Sequence, residues 1–278
     1  MAHSFYFGGT EADPAGSAMI YLGGPSYGLT IPIEEVDWLI SSVIDVADSA
    51  YGYGGASWGT HHPGKLFRLP FILKGDNWQD TRDKLDALNL VLDKNRLAAL
   101  RFEDFPDRYW LARFSGRDQV RVFQRGATGL LEFTAPDPRA YALTETTQTV
   151  NITSGDNNFT VPASGSVAGT AEADVAYIIK PSSSGATSPV VLANTTRDET
   201  LTWNNTLTSS EWLRVTASAR IEKAEKTGDS GSTYSTVNSS VSAGSRFPKL
   251  SPNVSNAFTF SGSAGNGTIE ITYRARFN

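Results

Sequence analysis

"FEDFPDRYWLARFSG", residues Phe102–Gly116, sets five aromatics among three acids and two arginines. Three readings compete for it: a charged catalytic cleft, a basic and aromatic surface for nucleic acid, or the turn and strand of a fold that does no chemistry. Periodicity decides among them. Arg108, Trp110, Ala112 and Phe114 alternate with Tyr109, Leu111 and Arg113, the spacing of side chains on opposite faces of a strand. Pro106-Asp107 supplies the turn that launches the strand, and Gly116 reads as its stop. Aromatics on both faces predict a strand covered on both sides, by a helix and by a sister sheet or subunit, with the charges at its ends.

The flanks extend this reading. Upstream, "DNWQDTRDKLDALNLVLDKN" predicts a helix. Asp76 or Asn77 is its N-cap, Asp80 and Asp83 lie early, and Lys94 and Arg96 lie at its end, as the helix dipole favours. Leu85, Leu88, Val91 and Leu92 form one apolar stripe, with Lys84, Asp86 and Asp93 on the other face. Before it, "LTIPIEEVDWLIS" and "GKLFRLPFILKG" read as strands, separated by a Gly- and aromatic-rich loop, "DSAYGYGGASWGTHHPGK". After it, "LAALRFED", "RYWLARFSG", "DQVRVFQRG" and "GLLEFTAPDP" read as a meander or hairpins, with a turn at Gly116–Asp118.

Composition changes near Tyr141–Thr146. The first domain is therefore placed at 1–144 and the second at 145–278. The second is rich in Ser, Thr and Asn and shows no helical pattern. Eight short runs ("TQTVNIT", "NNFTVPA", "VAYIIKP", "SPVVLAN", "ETLTWNN", "EWLRVTASARIEK", "NAFTFSG", "GTIEITYRARF") predict an all-β sandwich. "KTGDSGSTYSTVNSSVSAGSR" is poor in apolar residues and reads as a long exposed loop.

The 278 residues carry a net charge of −5, with 19 acids and 14 bases through residue 145 and 10 of each after it. No global basic field is present to hold a polyanion. Without cysteine there is no disulfide scaffold, thiol nucleophile or Cys-rich zinc site. "MAHSFYFGGT" has neither the basic nor the apolar region of a secretion signal. No apolar run reaches the ~18 residues of a membrane span. "VDWLISSVIDVADSA" is broken by Asp37, Asp45 and Asp48. The Asn-x-Ser/Thr sites at Asn151, Asn194 and Asn238 mean polar β-turns.

Motifs that resemble chemistry fail on context. "GASWG" (Gly55–Gly59) matches G-x-S-x-G, but a nucleophile elbow at Ser57 needs a strand before it and a helix after it. "THHPGK" follows instead. "GTHHPGKL" lacks the Ser or Thr that would bind Mg²⁺, since Leu66 stands there, and Lys65 leads into a strand rather than a helix. Adjacent His61 and His62 point to opposite sides of an extended chain, poor geometry for one metal ion. Arg113, Arg117, Arg121 and Arg125 recur every four residues. They form a solvated or intersubunit face, or a nucleic-acid contact. Trp203, Trp212 and Tyr234 are sandwich core or sugar-stacking platforms, and the Leu201–Trp203 spacing puts Trp203 on the core face. No catalytic, cofactor-binding or metal residue is assigned.

"FEDFPDRYWLARFSGRDQVRVFQRGATGLLEFTAPDPRAYAL" resembles the distal tail protein family of siphovirus bacteriophages. The residues that carry the resemblance are Pro106-Asp107-Arg108-Tyr109-Trp110, Gly116 and the Pro136-Asp137-Pro138 close, with the helix "TRDKLDALNLVLDKN" before them. The ending "RFPKLSPNVSNAFTFSGSAGNGTIEITYRARF" is similar to the family's L-x-P-G-x-N and final strand, with Asn253 where Gly is usual. The resemblance implies a mainly β protein with one prominent helix. A β-sandwich-like, ring-forming domain (1–144) precedes a galectin-like or carbohydrate-binding-module-like sandwich (145–278). It further implies a structural, non-enzymatic hub: a homo-hexameric ring at the distal end of the tail tube. That ring would contact tube, tape measure and tip or baseplate hub proteins, with host-surface glycans as a further partner. It would be assembled in the bacterial cytoplasm and carried in the virion, without cofactor or membrane insertion. DNA would pass through its channel without specific binding, and the acidity of the first half would suit such a channel. A carbohydrate-binding host-adhesion module is the alternative function.

Overall fold

The computed structural model describes residues 2–3, 5–9, 13–15, 20–21, 29–32, 43–48, 55–61, 64–92, 96–153, 155–182, 189–218, 221–228, 231–262 and 266–278. The chain divides into two compact units, residues 1–143 with Asn278, and 144–277.

The first unit contains strands β1 (Ala2–His3), β2 (Phe5–Gly9), β3 (Ile20–Tyr21), β4 (Leu29–Pro32), β5 (Val43–Asp48), β6 (Gly55–His61), β7 (Lys65–Lys74), β8 (Ala98–Phe102), β9 (Arg108–Phe123), β10 (Gly126–Ala135) and β11 (Ala140–Ala142), with helix α1 (Trp78–Leu92) between β7 and β8. Pairing is antiparallel throughout. β1, β4, β7, β10, β9 and β11 follow one another in hydrogen-bonded order, β8 joins β9 to β2, and β3 pairs with β2. β5 and β6 form a separate hairpin. α1 packs on β7, β9 and β10, burying Thr81, Leu88, Val91 and Leu92. β7 alternates strictly, with Phe67, Leu69, Phe71 and Leu73 inward and Leu66, Arg68, Ile72 and Lys74 outward. Phe5, Phe7, Phe67, Phe102, Trp110 and Phe133 form an aromatic core, joined by edge and tilted contacts 5.0–6.4 Å apart. Lys65 is buried with its Nζ over Phe67 and Trp110, at 5.3 and 5.8 Å.

The second unit contains β12 (Thr146–Ile152), β13 (Asn157–Val161), β14 (Ala171–Pro181), β15 (Val190–Asn194), β16 (Glu199–Trp203), β17 (Trp212–Ala217), β18 (Glu222–Thr227), β19 (Ser235–Thr236), β20 (Asn256–Ser261) and β21 (Gly267–Phe277). One sheet runs β12-β21-β14-β17-β18-β19 and the other β13-β20-β15-β16. One core takes side chains from both sheets: Val175, Tyr177, Ile179, Val215 and Ile271 from the first, and Leu192, Leu201, Trp203 and Phe260 from the second. Two sheets sharing their inner faces in this way make a β-sandwich.

Several expectations are corrected. The Gly-rich loop before β7 contains a strand, because β6 pairs with β5 from Val43↔His61 to Asp48↔Gly55. Gly116 does not stop a strand, and no turn occupies Gly116–Asp118. β9 runs through both, and its pairing with β10 shifts register twice, between Glu132 and Phe133 and between Thr128 and Leu130. These bulges absorb extra residues without ending the ladder, and Gly116 adopts φ +154° with open space around it. "EWLRVTASARIEK" is two strands, β17 and β18, whose turn is tied by mutual Ser218–Ile221 hydrogen bonds. The Ser-rich segment is not a free loop. Ser235–Thr236 pairs with β18, and Val237 N–H donates to Ala224 O. Beyond a 3-10 turn at Asn238–Ser240, Ser242 and Arg246 donate backbone N–H bonds to Thr202 and Thr200 of β16. The segment thus runs from the edge of one sheet to the edge of the other. The rest of the strand predicted beyond Pro32, together with His62, Asp93 and Lys94, lies outside the described residues.

Candidate functional site

The motif residues of the first unit interlock. β9 is covered on both faces at its start: Tyr109, Trp110, Leu111 and Ala112 are all buried. One face joins the aromatic core through Trp110. The other joins Ala99, Leu111 and Tyr141, where the Tyr109 ring stacks on Tyr141 at 5.6 Å. The Pro136-Asp137-Pro138 close is tied to the same strand. Trp110 Nε1–H donates to Pro138 O at 3.2 Å, and Tyr141 O–H donates to Asp137 at 2.5 Å. Leu143 N–H donates to Asp107 O at 2.7 Å. Asp107 takes both its oxygens to Arg108, at 3.1 Å each, and this pairing holds its carboxyl below the usual range. Two of the charges that suggested a cleft, Asp107 and Arg108, therefore neutralise each other at the strand's start.

The arginine series does not form one stripe. Arg113 is exposed on β9, and Arg121 and Arg125 lie at the exposed β9–β10 tip. The Arg117 backbone pairs with Leu131. At the tip Val122 and Phe123 are 40% and 54% exposed. Of nine large apolar residues exposed among the described ones, seven fall in the first unit.

The enzyme-like motifs are placed in strands. Ser57 lies within β6 opposite Val46, and the next described element is strand β7, so no elbow geometry exists there. His61 pairs with Val43. Lys65 opens a strand, where no helical N–H groups face outward to cradle phosphate. Among the described residues, no three His, Asp or Glu side chains stand close enough to hold a metal ion, and no helix is long and apolar enough to cross a membrane.

In the second unit Trp203 is fully buried core. Trp212 is half-buried, with Lys180 Nζ 4.5 Å from its ring centre. Gly231, at φ +103°, lies so close that a Cβ would come within 2.4 Å of the same ring. Tyr234 carries the Arg214 guanidinium 4.0 Å from its centre. These three aromatics are engaged with the protein rather than held out as open platforms. Around them run ion pairs: Lys180–Glu270, Lys226–Glu211, and Glu225 shared by Arg214 and Lys223. Burial pushes the Glu225 carboxyl up, but its two cations outweigh this and leave it below the usual range. A shallow depression of ≈ 410 Å³ lies instead on the four-stranded sheet, lined by Asn158, Thr160, Thr195 and Thr259 with Phe159, Ala257 and Phe258.

Sequence reasoning missed Phe5 and Phe7, fully buried on β2. The alternation in "SFYFG" was the available signal. It also missed the buried amide Asn256, which periodicity cannot find because it serves a turn, and it read Asn194 as a turn residue without its burial.

Residues 41–135 match the family model described as the phage tail protein RIFT-related domain. No curated protein matches the chain. Its fold is similar to that of SPP1 Dit (gp 19.1), whose crystal structure is described as a paradigm of hub adsorption apparatus in Gram-positive infecting phages. The identity is 16% and the TM-score 0.70, over 100% of both chains. Two structures of the phage P2 baseplate in its activated conformation, with Ca and with Sr, are 8% identical, at TM-scores of 0.47 and 0.49. They cover 97% and 96% of this chain and 97% of each of theirs.

Proposed function

We propose that this protein is a distal tail protein of a long-tailed bacteriophage, a structural hub that joins the tail tube to the tip or baseplate. The observation that carries this reading is a fold shared with SPP1 Dit over the full length of both chains. The tail domain at residues 41–135 supports it. In this reading residues 1–144 build a homo-hexameric ring, and residues 145–278 project outward as a galectin-like sandwich. Tube, tape measure and tip or baseplate hub proteins are its neighbours, and DNA passes through the ring unbound. The ring assembles in the host cytoplasm and is carried in the virion. No reaction is assigned to it. The concentration of exposed apolar residues in the first unit supports that unit as the one that associates. Seven of its thirteen described acids lie on α1 with its cap and on the Glu103–Asp107 turn, and an acidic channel is best served by one of these facing the axis. Native mass measurement and negative-stain imaging at micromolar concentration test the reading. Rings of six or twelve copies are expected, and a monomer at every concentration would count against it.

Carbohydrate binding by the second unit is the alternative reading, favoured by the uncharged, hydroxyl-lined depression beside Phe159. A glycan array checks it: millimolar or tighter binding that is lost in Thr160→Ala/Thr259→Ala, with no loss in Trp212→Ala, would place the sugar there.

A further inference from the structure

We propose that copies of this chain join head to tail, the β9–β10 tip of one docking on the outer face of α1 of the next. The inference rests on the ring reading and names its contact. The tip presents Arg121, Val122, Phe123, Gln124 and Arg125, all exposed. Neither arginine side chain has an ion-pair partner among the described residues. The outer face of α1 lies opposite the buried Thr81, Leu88 and Val91 and presents Gln79, Asp83, Asp86 and Leu90. Leu90 is 81% exposed, the most exposed large apolar residue among those described. Asp83 accepts a hydrogen bond from Gln79 at 2.8 Å. Neither Asp83 nor Asp86 has an ion-pair partner among the described residues; of the two bases beside them, Arg82 is exposed and Lys84 is engaged with Asp80. The two patches therefore match: a basic tip with a protruding Phe, and an acidic helix face with a protruding Leu.

The tip of one copy cannot reach Leu90 of the same copy. Gly75 N–H donates to Arg125 O at 3.0 Å, which fixes the tip beside the start of α1. Leu90 lies about 18 Å further along the helix, at ~1.5 Å of rise per residue. A contact between the tip and Leu90 must therefore come from a second copy. Because it joins two different patches, it repeats around an axis and leaves no copy with a free pair when the ring closes. Opposite charges at the rim fix orientation and suppress wrong pairings.

Complementary charge reversal tests the contact. Arg121→Glu/Arg125→Glu in one variant and Asp83→Arg/Asp86→Arg in another are each expected to raise the concentration for half-assembly at least tenfold. Circular dichroism and unfolding midpoints must show both folded. Mixing the two is expected to restore rings, in which the copies alternate and every tip meets a helix of opposite sign. A third variant, Leu90→Gln, should weaken assembly without changing charge. If wild type forms rings and both reversal variants do so equally well, or if mixing rescues nothing, the contact is overturned while the ring reading stands. If wild type never assembles, both fall.

Discussion

Asn256 is fully buried and serves the turn before β20 as a substitute backbone. Its Oδ1 accepts from Ser251 N–H at 2.8 Å, and its Nδ2 donates to Ser251 O at 3.1 Å. Asn194, also buried, donates to Lys249 O at 2.5 Å and caps Thr196 N–H at 3.0 Å. Asn256→Ala leaves buried groups unpaired, and a loss of about 2–3 kcal/mol is expected by urea unfolding. Within the same turn Asn253 adopts φ +59°, where Asn and Gly are tolerated and β-branched residues are not. Asn253→Gly should therefore unfold with wild type, whereas Asn253→Val should cost about 1–2 kcal/mol. This explains how Asn stands where the resembling family has Gly: the position selects for backbone conformation, not for a side chain. Tyr177 offers a pH handle. Its buried O–H donates to Pro248 O at 3.0 Å. Burial, with Glu199 nearby, pushes its pKa well above the ordinary value of 10.0. A folded pKa above the unfolded one gives stability that is complete below about pH 10 and is lost as pH rises beyond it. Tyr177→Phe should flatten that alkaline loss, measured as thermal midpoint against pH.

At the scale of elements, α1 was legible from its sequence and its neighbours were less so. Its stripe has a helical period, and its start is marked by a reciprocal cap: Asn77 Oδ1 accepts from Asp80 N–H at 3.0 Å, and Asp80 accepts from Asp76 N–H at 2.8 Å. The Asp76 N–H, then Lys84, hold the Asp80 carboxyl below its ordinary range. Its contribution is therefore present above about pH 4 and lost as pH falls further. Asn77→Ala is expected to cost about 1 kcal/mol, and Asp80→Asn to reduce acid sensitivity below pH 4, both read from unfolding midpoints. β9 was legible only to its bulges, because a glycine inside a strand and a glycine ending one look alike until the partner strand is known. The segment Ser235–Arg246 was illegible for a different reason. It binds sheet edges through backbone hydrogen bonds and Ser hydroxyls, such as Ser245 Oγ accepting from Thr202 N–H at 3.1 Å, while only Val237 and Val241 within it reach the core. An edge held by backbone leaves almost no apolar period to read.

At the scale of the molecule, the likeness to a tail hub could be read from an ordered set of loose motifs, of which Pro106–Trp110 and Pro136–Pro138 tie one structural knot around Tyr109, Trp110 and Tyr141. The surfaces were not readable, since exposure at Phe123 and Leu90 depends on which face each element turns inward. The two units also differ in how they hide apolar area. The second has its own core of 22 buried residues drawn from both sheets and only two of the nine exposed large apolar residues. A unit of that size with a closed core has what independent folding requires. Residues 144–278 expressed alone should therefore unfold cooperatively, with the blue-shifted emission and near-ultraviolet dichroism of a fully buried Trp203. The midpoint should lie within a few degrees of the matching transition in the whole chain. Residues 1–143 alone should fold less soluble, because seven of the nine exposed large apolar residues lie on them. A second unit that shows only far-ultraviolet strand signal, with Trp203 emitting as in water, would mean that its core depends on the first unit, and would remove the basis for treating the association surface and the sandwich as separable parts.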